Sequence, residues 1–500
     1  MKSVKLNALD GTPIEFINQV VGQGSLKDCY FSPDPSYVVL FYREKQDHDT
    51  FERLKKITGT YRQGIFTQAG GDYWQDKFCW PSHVLQHEGR LGLVCPSYDP
   101  RYLFTWGSVN QDMFKLKGRE KEGKWFASAR HRARLLDPRE KGDWLKYFRI
   151  CILLSRSVRR MHAIGLAHSD LSYKNVLIDP VTGSAVIVDV DGLVVPNLYP
   201  PQVLGTPDFI APEVMASNHL AFHDPTRKLP SRQSDQHALA VLIYMYLLYR
   251  HPLRGRKVHD PDNPELDEKL AMGDKALFIE HNSDLSNRPN LNDVHPAELP
   301  WIDVSRLPAA KLLGPYLYPL VERAFVVGLH QPELRPSADE WEHALVKTVD
   351  LLQPCPNPDC EQKWFVFDNT LKPVCPFCQN PFKGLLPVLN FYYARKPGIY
   401  SQENYRLMVY HNQYLYPWHV NRQIFANEKL SPDQIKPVGY FVWHQGAWWL
   451  VNQTLPDLWD KESDCAIPPG QRVMLKEGGK LLLSREEGGR LAMVQLVQGN

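Results

Sequence analysis

The chain has 500 residues, 43% hydrophobic and 23% charged, which is enough apolar material for roughly two to four domains and excludes a disordered chain. The formal net charge of +2 gives no reason to expect nucleic acid or a membrane as a partner. The start, MKSVKLNALD, lacks the apolar core of a signal peptide, and the longest apolar stretch, 238–249, is too short to cross a bilayer and predicts a buried helix. Because five of the nine cysteines are scattered, we expect a reducing, cytoplasmic location.

The first apolar runs, PIEFINQVV and SYVVLFYR, lie on either side of GQGSLKDCYF (22–31) and predict strands joined by a glycine turn. Gly22 and Gly24 stand where a phosphate-binding loop has its first two glycines, and Lys27 occupies the place of the third. Two interpretations are open at this point. Either Lys27 is a catalytic charge carried by the loop, or it is an exposed strand residue.

The next segments alternate between helix and strand patterns. DHDTFERLKKITGTYR (47–62) predicts a charged helix, and HVLQHEGRLGLVCPSYD (83–99) predicts a β-hairpin. From 110 to 146 the mixed charges favour a solvated helix pair with a loop over a nucleic-acid patch. An apolar-periodic helix is predicted over 147–163, and helical segments resume further on. The stretch 385–500 is rich in aromatic and β-branched residues and predicts an all-β domain.

The stretch 162–192, HAIGLAHSDLSYKNVLIDPVTGSAVIVDVDG, contains the residue types that phosphoryl transfer requires. The reaction needs a carboxylate that orients the attacking hydroxyl, and an amide and a second carboxylate that hold Mg²⁺ against the phosphates. Asp170, Asn175 and Asp189 supply these groups in that order. The runs NVLID and AVIVD predict a hairpin that brings Asn175 and Asp189 together. The plainer alternative is a hydrophobic hairpin that ends in polar residues.

These motifs, followed by LGTPDFIAPE (204–213), resemble the eukaryotic-type protein kinase superfamily. Four motifs carry the resemblance: His168-Ser169-Asp170 for H-R-D, Asn175 for the magnesium-binding Asn, Asp189-Val190-Asp191-Gly192 for D-F-G with its glycine one place late, and Ala211-Pro212-Glu213 for A-P-E. The resemblance covers roughly residues 13–350. It implies an α+β, bilobal protein kinase fold that uses ATP and Mg²⁺ on a protein substrate. It also implies that Asp235 braces the catalytic loop and that Arg335 pairs with Glu213.

The chain departs from the kinase pattern in the catalytic loop and the segment after it. Ser169 replaces the Arg that clamps an activating phosphate, and 193–204 contains no Ser or Thr. We therefore expect an active conformation that does not depend on phosphorylation of this segment. Ser172 stands where serine/threonine kinases carry a Lys, and Lys174 is expected to reach the γ-phosphate instead, as an Arg does in many tyrosine kinases. A Ser or Thr acceptor is favoured over Tyr.

The lysine that kinases carry on the third strand is absent. The matching position in YVVLFY is Leu40, and Lys45 lies beyond the strand. The with-no-lysine kinases are similar: their pattern G-x-G-S-F-K-x-V-Y corresponds to GQGSLKDCY here. This resemblance implies that Lys27 is a relocated catalytic lysine with Glu52 as its carboxylate partner, although Glu52 also fits a surface ion pair. Backbone groups from Cys95 to Ser97 would then read the adenine edge.

A cysteine cluster follows in CPNPDC and CPFC, where Cys355, Cys360, Cys375 and Cys378 form two close pairs. Four thiolates at this spacing suit the tetrahedral geometry of structural Zn²⁺. Since all four ligands come from the protein, we expect a closed, structural zinc ribbon that needs its metal to fold. A redox dithiol of Cys375 and Cys378 is the alternative.

The end of the chain, with IPPGQRVMLKEGGKLLL (467–483), is similar to the last strands of a forkhead-associated (FHA) β-sandwich. FHA domains bind phosphothreonine through an Arg and a Ser on loops. Arg422 is the equivalent Arg here, but no Ser follows at a convincing distance. A sandwich that makes other protein contacts is therefore the open alternative to phosphopeptide binding.

We predict four domains: a kinase N-lobe at 1–98, a C-lobe at 99–353, a zinc ribbon at 354–384 and an FHA-like sandwich at 385–500. This order resembles bacterial kinases encoded beside a von Willebrand factor A protein and a metal-dependent 2C-type phosphatase in tellurite-resistance-type (TerY-P) clusters. The resemblance implies those two proteins as partners.

Two other functions are open. Leu40, Ser169 and Ser172 favour a pseudokinase scaffold that recruits partners through its ribbon and sandwich. A small-molecule kinase of related fold is the third option, against which the peptide-binding resemblance of GTPDFIAPE argues.

Overall fold

The computed structural model describes residues 2–24, 26–67, 70–195, 205–221, 223–396 and 398–499. Helices and several antiparallel sheets make the chain a mixed α+β protein. It divides into two compact units: unit 1 comprises Met1–Gly142, Lys146–Pro308 and Pro319–Glu342, and unit 2 comprises Asp143–Leu145, Ala309–Tyr318 and His343–Asn500. The four predicted domains divide the chain more finely, and their boundaries stay a prediction.

The first strands of unit 1 are β1 (Ser3–Asn7), β2 (Pro13–Ile17), β3 (Gly22–Gln23), β4 (Lys27–Phe31), β5 (Tyr37–Tyr42), β6 (His83–His87) and β7 (Arg90–Pro96). Among the described residues, β3 to β7 form a five-stranded antiparallel sheet in the order β3-β4-β5-β7-β6, and β1 pairs with β2. Phe16, Tyr30 and Phe41 pack together in the core with ring centroids 5.4–5.8 Å apart. The hairpin predicted at 83–99 is confirmed as β6 and β7.

Three short helices follow β5: α1 (His48–Lys56), α2 (Arg62–Phe66) and α3 (Gly71–Trp74). The carboxylate of Asp47 begins α1 by accepting the backbone N–H of Thr50 at 2.7 Å, which satisfies one of the donors that a helix start leaves open. A π-helical turn, Ile57–Tyr61, joins α1 to α2. The helix predicted for the charged segment 47–62 is therefore confirmed.

The later helices are α4 (Val109–Asp112), α5 (Ala129–Arg134), α6 (Trp144–Ala163), α7 (Pro212–Ser217), α8 (Arg232–Leu248), α9 (Pro264–Met272), α10 (Ala309–Glu322) and α11 (Ala338–Val349). Two strands, β8 (Val176–Asp179) and β9 (Ser184–Ile187), form the predicted hairpin between α6 and α7. Every residue of α8 from His237 onward is buried, so this apolar stretch is a core helix, as predicted. In the described part of the chain, no helix is both long enough and apolar enough to cross a membrane.

Part of the charged stretch 110–146 is buried, and the prediction of a solvated surface was wrong there. The ammonium of Lys121 lies 3.1 Å from a carboxylate oxygen of Glu140 and 2.9 Å from one of Asp179, with all three side chains inside unit 1. Arg132 is also buried, with its guanidinium 4.2 Å from the ring centroid of Tyr249. These charges tolerate burial because opposite charges or an aromatic face replace water around them.

Unit 2 contains one short helix, α12 (Pro417–Val420), among the described residues after α11, together with many strands. These strands are β10 (Leu352–Pro354), β11 (Trp364–Val366), β12 (Leu385–Lys396), β13 (Ile399–Met408), β14 (Tyr414–Leu415), β15 (Gly439–His444), β16 (Ala447–Asn452), β17 (Trp459–Asp460), β18 (Cys465–Ala466), β19 (Arg472–Met474), β20 (Lys480–Leu482) and β21 (Arg490–Gln498).

Two antiparallel sheets of unit 2 share a single core. Within the described residues, the larger sheet has the order β13-β12-β21-β20-β17-β18 and the smaller one the order β14-β15-β16-β19. Phe391 and Leu481 of the larger sheet belong to the same hydrophobic cluster as Phe441 and Leu450 of the smaller one. The all-β prediction for 385–500 is therefore confirmed apart from α12.

Candidate active site and candidate metal centre

Lys27 is the first residue of β4, directly after the glycine turn. The Gly24 N–H donates to the Lys27 carbonyl at 2.9 Å and closes the turn. The ammonium of Lys27 donates to Asp191 Oδ2 at 2.5 Å and lies 3.4 Å from Asp189 Oδ1, and the side chain is 14% exposed. Lys27 is therefore a partly buried lysine that reaches the D-V-D-G segment, and the interpretation of it as an exposed strand residue was wrong.

The strand beside Lys27 carries no lysine. Leu40 lies opposite Cys29 and Leu93 in β5, and Lys45 is exposed beyond the end of the strand. Tyr42 lies directly opposite Lys27 in the β4–β5 register. Its hydroxyl donates to Asp191 Oδ2 at 2.6 Å.

The two carboxylates of D-V-D-G lie in different environments. Asp189 has left-handed backbone angles (φ 56°, ψ 39°), and its side chain is 55% exposed, whereas that of Asp191 is 9% exposed. Burial disfavours the Asp191 carboxylate, but the Lys27 ammonium outweighs it and holds the pKa of Asp191 below its ordinary value. Repulsion by the Asp191 carboxylate raises the pKa of Asp189.

Burial also disfavours the charged forms of the two donors to Asp191. For Lys27 the carboxylates of Asp191 and Asp189 overcome this effect and raise the pKa of the ammonium above its ordinary value. For Tyr42, burial and the neighbouring Asp191 raise the pKa of the phenol. Lys27 is therefore charged and Tyr42 is protonated, so both donate to Asp191.

Asp170 and Asn175 lie side by side before β8. The Asn175 amide donates to the backbone carbonyl of Asp170 at 2.8 Å and to its carboxylate at 2.9 Å. The other carboxylate oxygen of Asp170 accepts from the hydroxyl of Thr206 at 2.9 Å. The Val188 N–H donates to the Asn175 carbonyl at 3.0 Å, so the segment that leads to Asp189 is joined to the one that carries Asn175.

Asp235, in the first turn of α8, braces the loop before Asp170 as predicted. Its buried carboxylate accepts the backbone N–H of His168 at 2.7 Å and that of Ser169 at 3.2 Å. The ring of His168 donates to the Val188 carbonyl at 3.0 Å. Ser169 has a left-handed backbone (φ 67°), a costly conformation for a residue with a Cβ, and the Asp235 contact helps to hold it there.

Ser172 and Lys174 face different surroundings. Ser172 is fully buried, and its hydroxyl oxygen lies 3.2 Å from that of Thr206 and accepts from the Lys174 N–H at 3.3 Å. The Lys174 side chain is exposed, so it is sterically free to approach a ligand, and its role at the γ-phosphate stays a prediction. The predicted independence from activating phosphorylation concerns residues 193–204, of which 196–204 lie outside the described residues.

The Arg335–Glu213 pair is present as the resemblance implied, with two hydrogen bonds of 2.7 and 2.8 Å between the guanidinium and the carboxylate. The implied pairing of Lys27 with Glu52 is not present. Glu52 instead pairs with Lys55 of the same helix at 3.0 Å. This surface ion pair, three residues apart on α1, is the alternative that the sequence left open.

The predicted adenine-reading segment is only partly open to a ligand. Cys95 is buried in β7. The Ser97 N–H donates to the Ser36 carbonyl at 3.2 Å, and the Ser97 hydroxyl donates to the Pro35 carbonyl at 2.6 Å. Both donors of Ser97 are therefore engaged within the protein, and the contact to adenine stays a prediction for the rest of the segment.

Cys355, Cys360, Cys375 and Cys378 form a cluster that could hold a metal ion such as zinc, since their sulfurs all lie within 4.8 Å of one another. The sulfurs of Cys355 and Cys378 are 3.4 Å apart, and those of Cys360 and Cys375 are 4.0 Å apart. Sulfurs around tetrahedral Zn²⁺ are about 3.8 Å apart. The neighbouring Cys375 thiol lowers the pKa of Cys360.

The turns around the cluster hold the four sulfurs in place. The Cys355 N–H donates to the Lys363 carbonyl at 2.7 Å, and the Cys375 N–H to the Asn380 carbonyl at 3.0 Å. Lys363 and Gln379 have left-handed backbones (φ 59° and 62°), so each pair of cysteines lies beside a tight turn.

In the β-sandwich, the guanidinium of Arg422 lies 3.9 Å from the ring centroid of Tyr393, and Arg422 is exposed. An exposed Arg422 is accessible to a ligand, and binding of a phosphopeptide there stays a prediction.

Sequence reasoning missed three residues of the candidate active site. Tyr42 is one strand residue among several apolar ones and has no motif of its own. Thr206 lies in the quoted GTPDFIAPE stretch, where its hydroxyl could have been considered as a partner of Asp170. The third residue is Asp191, whose role as partner of Lys27 was not predicted. Its position two residues after Asp189 could have indicated a second carboxylate at the site. No family model matches this chain, and no curated protein matches it.

Proposed function

We propose that this protein is a protein kinase that uses ATP and Mg²⁺ to phosphorylate a protein on Ser or Thr, with Tyr as the less favoured acceptor. The observation that carries the proposal is the contact of the Lys27 ammonium with the carboxylates of Asp189 and Asp191. These two residues follow Lys27 by 162 and 164 positions in the sequence. A partly buried lysine brought to two carboxylates beside Asn175 and Asp170 is the set of charges that phosphoryl transfer needs. A scaffold has no physical need for it.

The residues present fit a hard cation. The Asn175 amide nitrogen donates to Asp170, and in the described part of the chain its oxygen accepts no hydrogen bond. Asp189 is exposed and repelled by Asp191, so a cation would relieve its charge. Mg²⁺ prefers such oxygen ligands, and when bound with ATP it neutralises charge on the phosphates. Asn175 and Asp189 would hold it.

The other residues have separate roles in the proposed reaction. Asp170 orients the acceptor hydroxyl and takes its proton, while Thr206 and Asn175 hold the carboxylate in place. Lys27 neutralises the phosphates, and the exposed Lys174 reaches the γ-phosphate. Because Gly22 and Gly24 have no side chains, the backbone can approach the phosphates closely.

The four-cysteine cluster is proposed to bind Zn²⁺ as a closed structural ribbon in a reducing cytoplasm. Its all-protein ligand set supports a structural role, because a catalytic zinc keeps one position open. The sandwich of unit 2 is proposed to be FHA-like and to make protein contacts. The proposed partners are a von Willebrand factor A protein and a 2C-type phosphatase.

The test is phosphate incorporation from Mg·ATP, with the acceptor sites mapped by mass spectrometry. We expect wild type to phosphorylate itself or one of the proposed partners. Lys27→Met and Asp189→Asn should each lower the rate at least about 100-fold, since each removes a charge that acts in the transition state. Lys45→Met is the matched control, because Lys45 is exposed beyond β5, and it should keep the wild-type rate.

Absence of transfer by the wild-type chain to itself and to both partners would contradict the kinase proposal. The pseudokinase scaffold would then be the better interpretation, with Leu40, Ser169 and Ser172 as its support. Equal rates for wild type and Lys27→Met would leave the chain a kinase but would contradict the role given to Lys27.

A further inference from the structure

The counter-charge of Lys27 comes from Asp191, which the sequence did not indicate as its partner. Asp191, in the turn after β9, receives the ammonium, and Glu52 of α1 does not. We propose that Asp191, held by the phenol of Tyr42, is the positioning residue of Lys27 and takes the place of a carboxylate from α1. This inference rests on the proposed kinase function, because it concerns the same cleft.

The geometry around Asp191 supports a single, well-fixed arrangement. One oxygen, Oδ2, accepts both from the Lys27 ammonium at 2.5 Å and from the Tyr42 hydroxyl at 2.6 Å. Because Lys27 and Tyr42 are directly opposite each other in antiparallel strands, their side chains lie on the same face of the sheet. Strand pairing therefore fixes both donors relative to one acceptor.

The carboxylates of Asp189 and Asp191 have different roles in this proposal. Asp191 is buried with its two donors, whereas Asp189 is more than half exposed and lies farther from the ammonium, at 3.4 Å. A carboxylate that balances a lysine is a poor cation ligand, since its charge is already neutralised. Asp189 is therefore the one left for the metal, and Asp191 the one that holds Lys27.

Helix α1 offers no alternative partner. Its two carboxylates are Asp49, exposed in the first turn, and Glu52, which pairs with Lys55. The contact of Lys27 therefore does not depend on a carboxylate of α1. It depends on the positions of β4, β5 and the turn after β9.

The experiment is a double-mutant cycle on the full chain, with kcat and KM for ATP from phosphate transfer and Kd for ATP from equilibrium binding. The variants are Asp191→Asn, Lys27→Met, the combination of both, and Glu52→Gln. We expect Asp191→Asn to lower kcat/KM by about tenfold to 100-fold, as for loss of a charge-assisted hydrogen bond. Because Asp191 acts through Lys27, it should add no further loss in the Lys27→Met background.

Asp179→Asn is the control for a merely structural carboxylate. Asp179 is buried at the end of β8 and pairs with Lys121 at 2.9 Å. Its loss should lower the unfolding midpoint and leave kcat/KM near the wild-type value. If Asp191→Asn does not fold, Tyr42→Phe replaces it in the cycle, with a smaller loss of kcat/KM that likewise disappears in the Lys27→Met background.

Two results would overturn the inference while the kinase proposal stands: losses from Asp191→Asn and Lys27→Met that multiply, or a larger loss in Glu52→Gln than in Asp191→Asn. A wild-type chain that binds ATP but transfers no phosphate would overturn the kinase proposal alone. The coupling between Asp191 and Lys27 can then still be measured from the Kd for ATP of the same four variants and wild type. A chain that binds no ATP would overturn both.

Discussion

At the scale of single residues, Arg335 shows how one side chain can join several segments of unit 1. Two of its N–H groups bind Glu213, and the others reach the carbonyls of Gln233, Gly328 and Leu329. The five donors of a guanidinium are thereby all used. Because Arg335 is buried, loss of this residue leaves a carboxylate and three carbonyls without their donors.

Arg335→Met should therefore lower the free energy of unfolding by about 3–5 kcal/mol, the usual cost of removing one partner of a buried ion pair. The measurement is urea unfolding of the full chain. Arg323→Met is the matched control: Arg323 pairs with Glu340 in a more exposed setting, where such pairs contribute about 1 kcal/mol or less. Similar losses in the two variants would contradict the prediction.

Some contacts of single residues could be predicted from the sequence. Others could not, because they depend on how distant segments are placed relative to each other. The Arg335–Glu213 pair and the brace from Asp235 follow from ordered motifs, so the resemblance was sufficient for both. The partner of Lys27 depends on the register of β4 against β5 and on the left-handed turn at Asp189. Neither can be deduced from local residue patterns, and Glu52 was the natural but incorrect expectation.

At the scale of elements, the turn between β3 and β4 leaves space beside its two glycines for a small side chain. Among the described residues, a Cβ added at Gly22 would meet only the Cys29 Cβ at 3.8 Å, and one at Gly24 only the Lys27 carbonyl, also at 3.8 Å. Neither glycine has a positive φ. Packing and backbone strain therefore do not require glycine at either position, which leaves close approach of a phosphate as the proposed reason for it.

Gly24→Ala should leave the free energy of unfolding within about 0.5 kcal/mol of wild type and raise KM for ATP, because a methyl group would stand between backbone and phosphates. Kinetics and urea unfolding of the same preparation separate the two effects. In Gly92→Ala the reverse is expected: a Cβ there would lie 2.6 Å from the Phe41 ring, and overpacking should cost about 1–3 kcal/mol. An unchanged KM in Gly24→Ala would contradict a phosphate role for the turn.

At the scale of the whole molecule, residue patterns predicted the β8–β9 hairpin and the strand-rich end of the chain, and the resemblance implied the α+β class. The division into two units was not. Residues 143–145 and 309–318 belong to unit 2 although the chain on either side of each belongs to unit 1. The unit to which such a segment belongs depends on its packing against residues far away in sequence. Local residue patterns carry no information on that packing.

The cysteine cluster should set the metal content of the whole chain. We expect about one zinc per chain by elemental analysis, because four thiolates complete one tetrahedral site. Cys360→Ser should lower both the zinc content and the midpoint of thermal unfolding, since metal binding is coupled to folding in such small modules. Cys465→Ser is the control, because Cys465 is exposed and outside the cluster. Purified protein without zinc would contradict the assignment.

The position of Lys27 at the start of β4 also has a kinetic consequence. The carbonyl of Lys27 closes the turn that contains Gly24, so this turn and the ammonium belong to one hairpin. In the proposed enzyme the turn faces the phosphates, and lifting the hairpin to release ADP would also draw the ammonium from Asp191. Product release and loss of the counter-charge are then coupled, and we expect a substitution that slows one to slow the other.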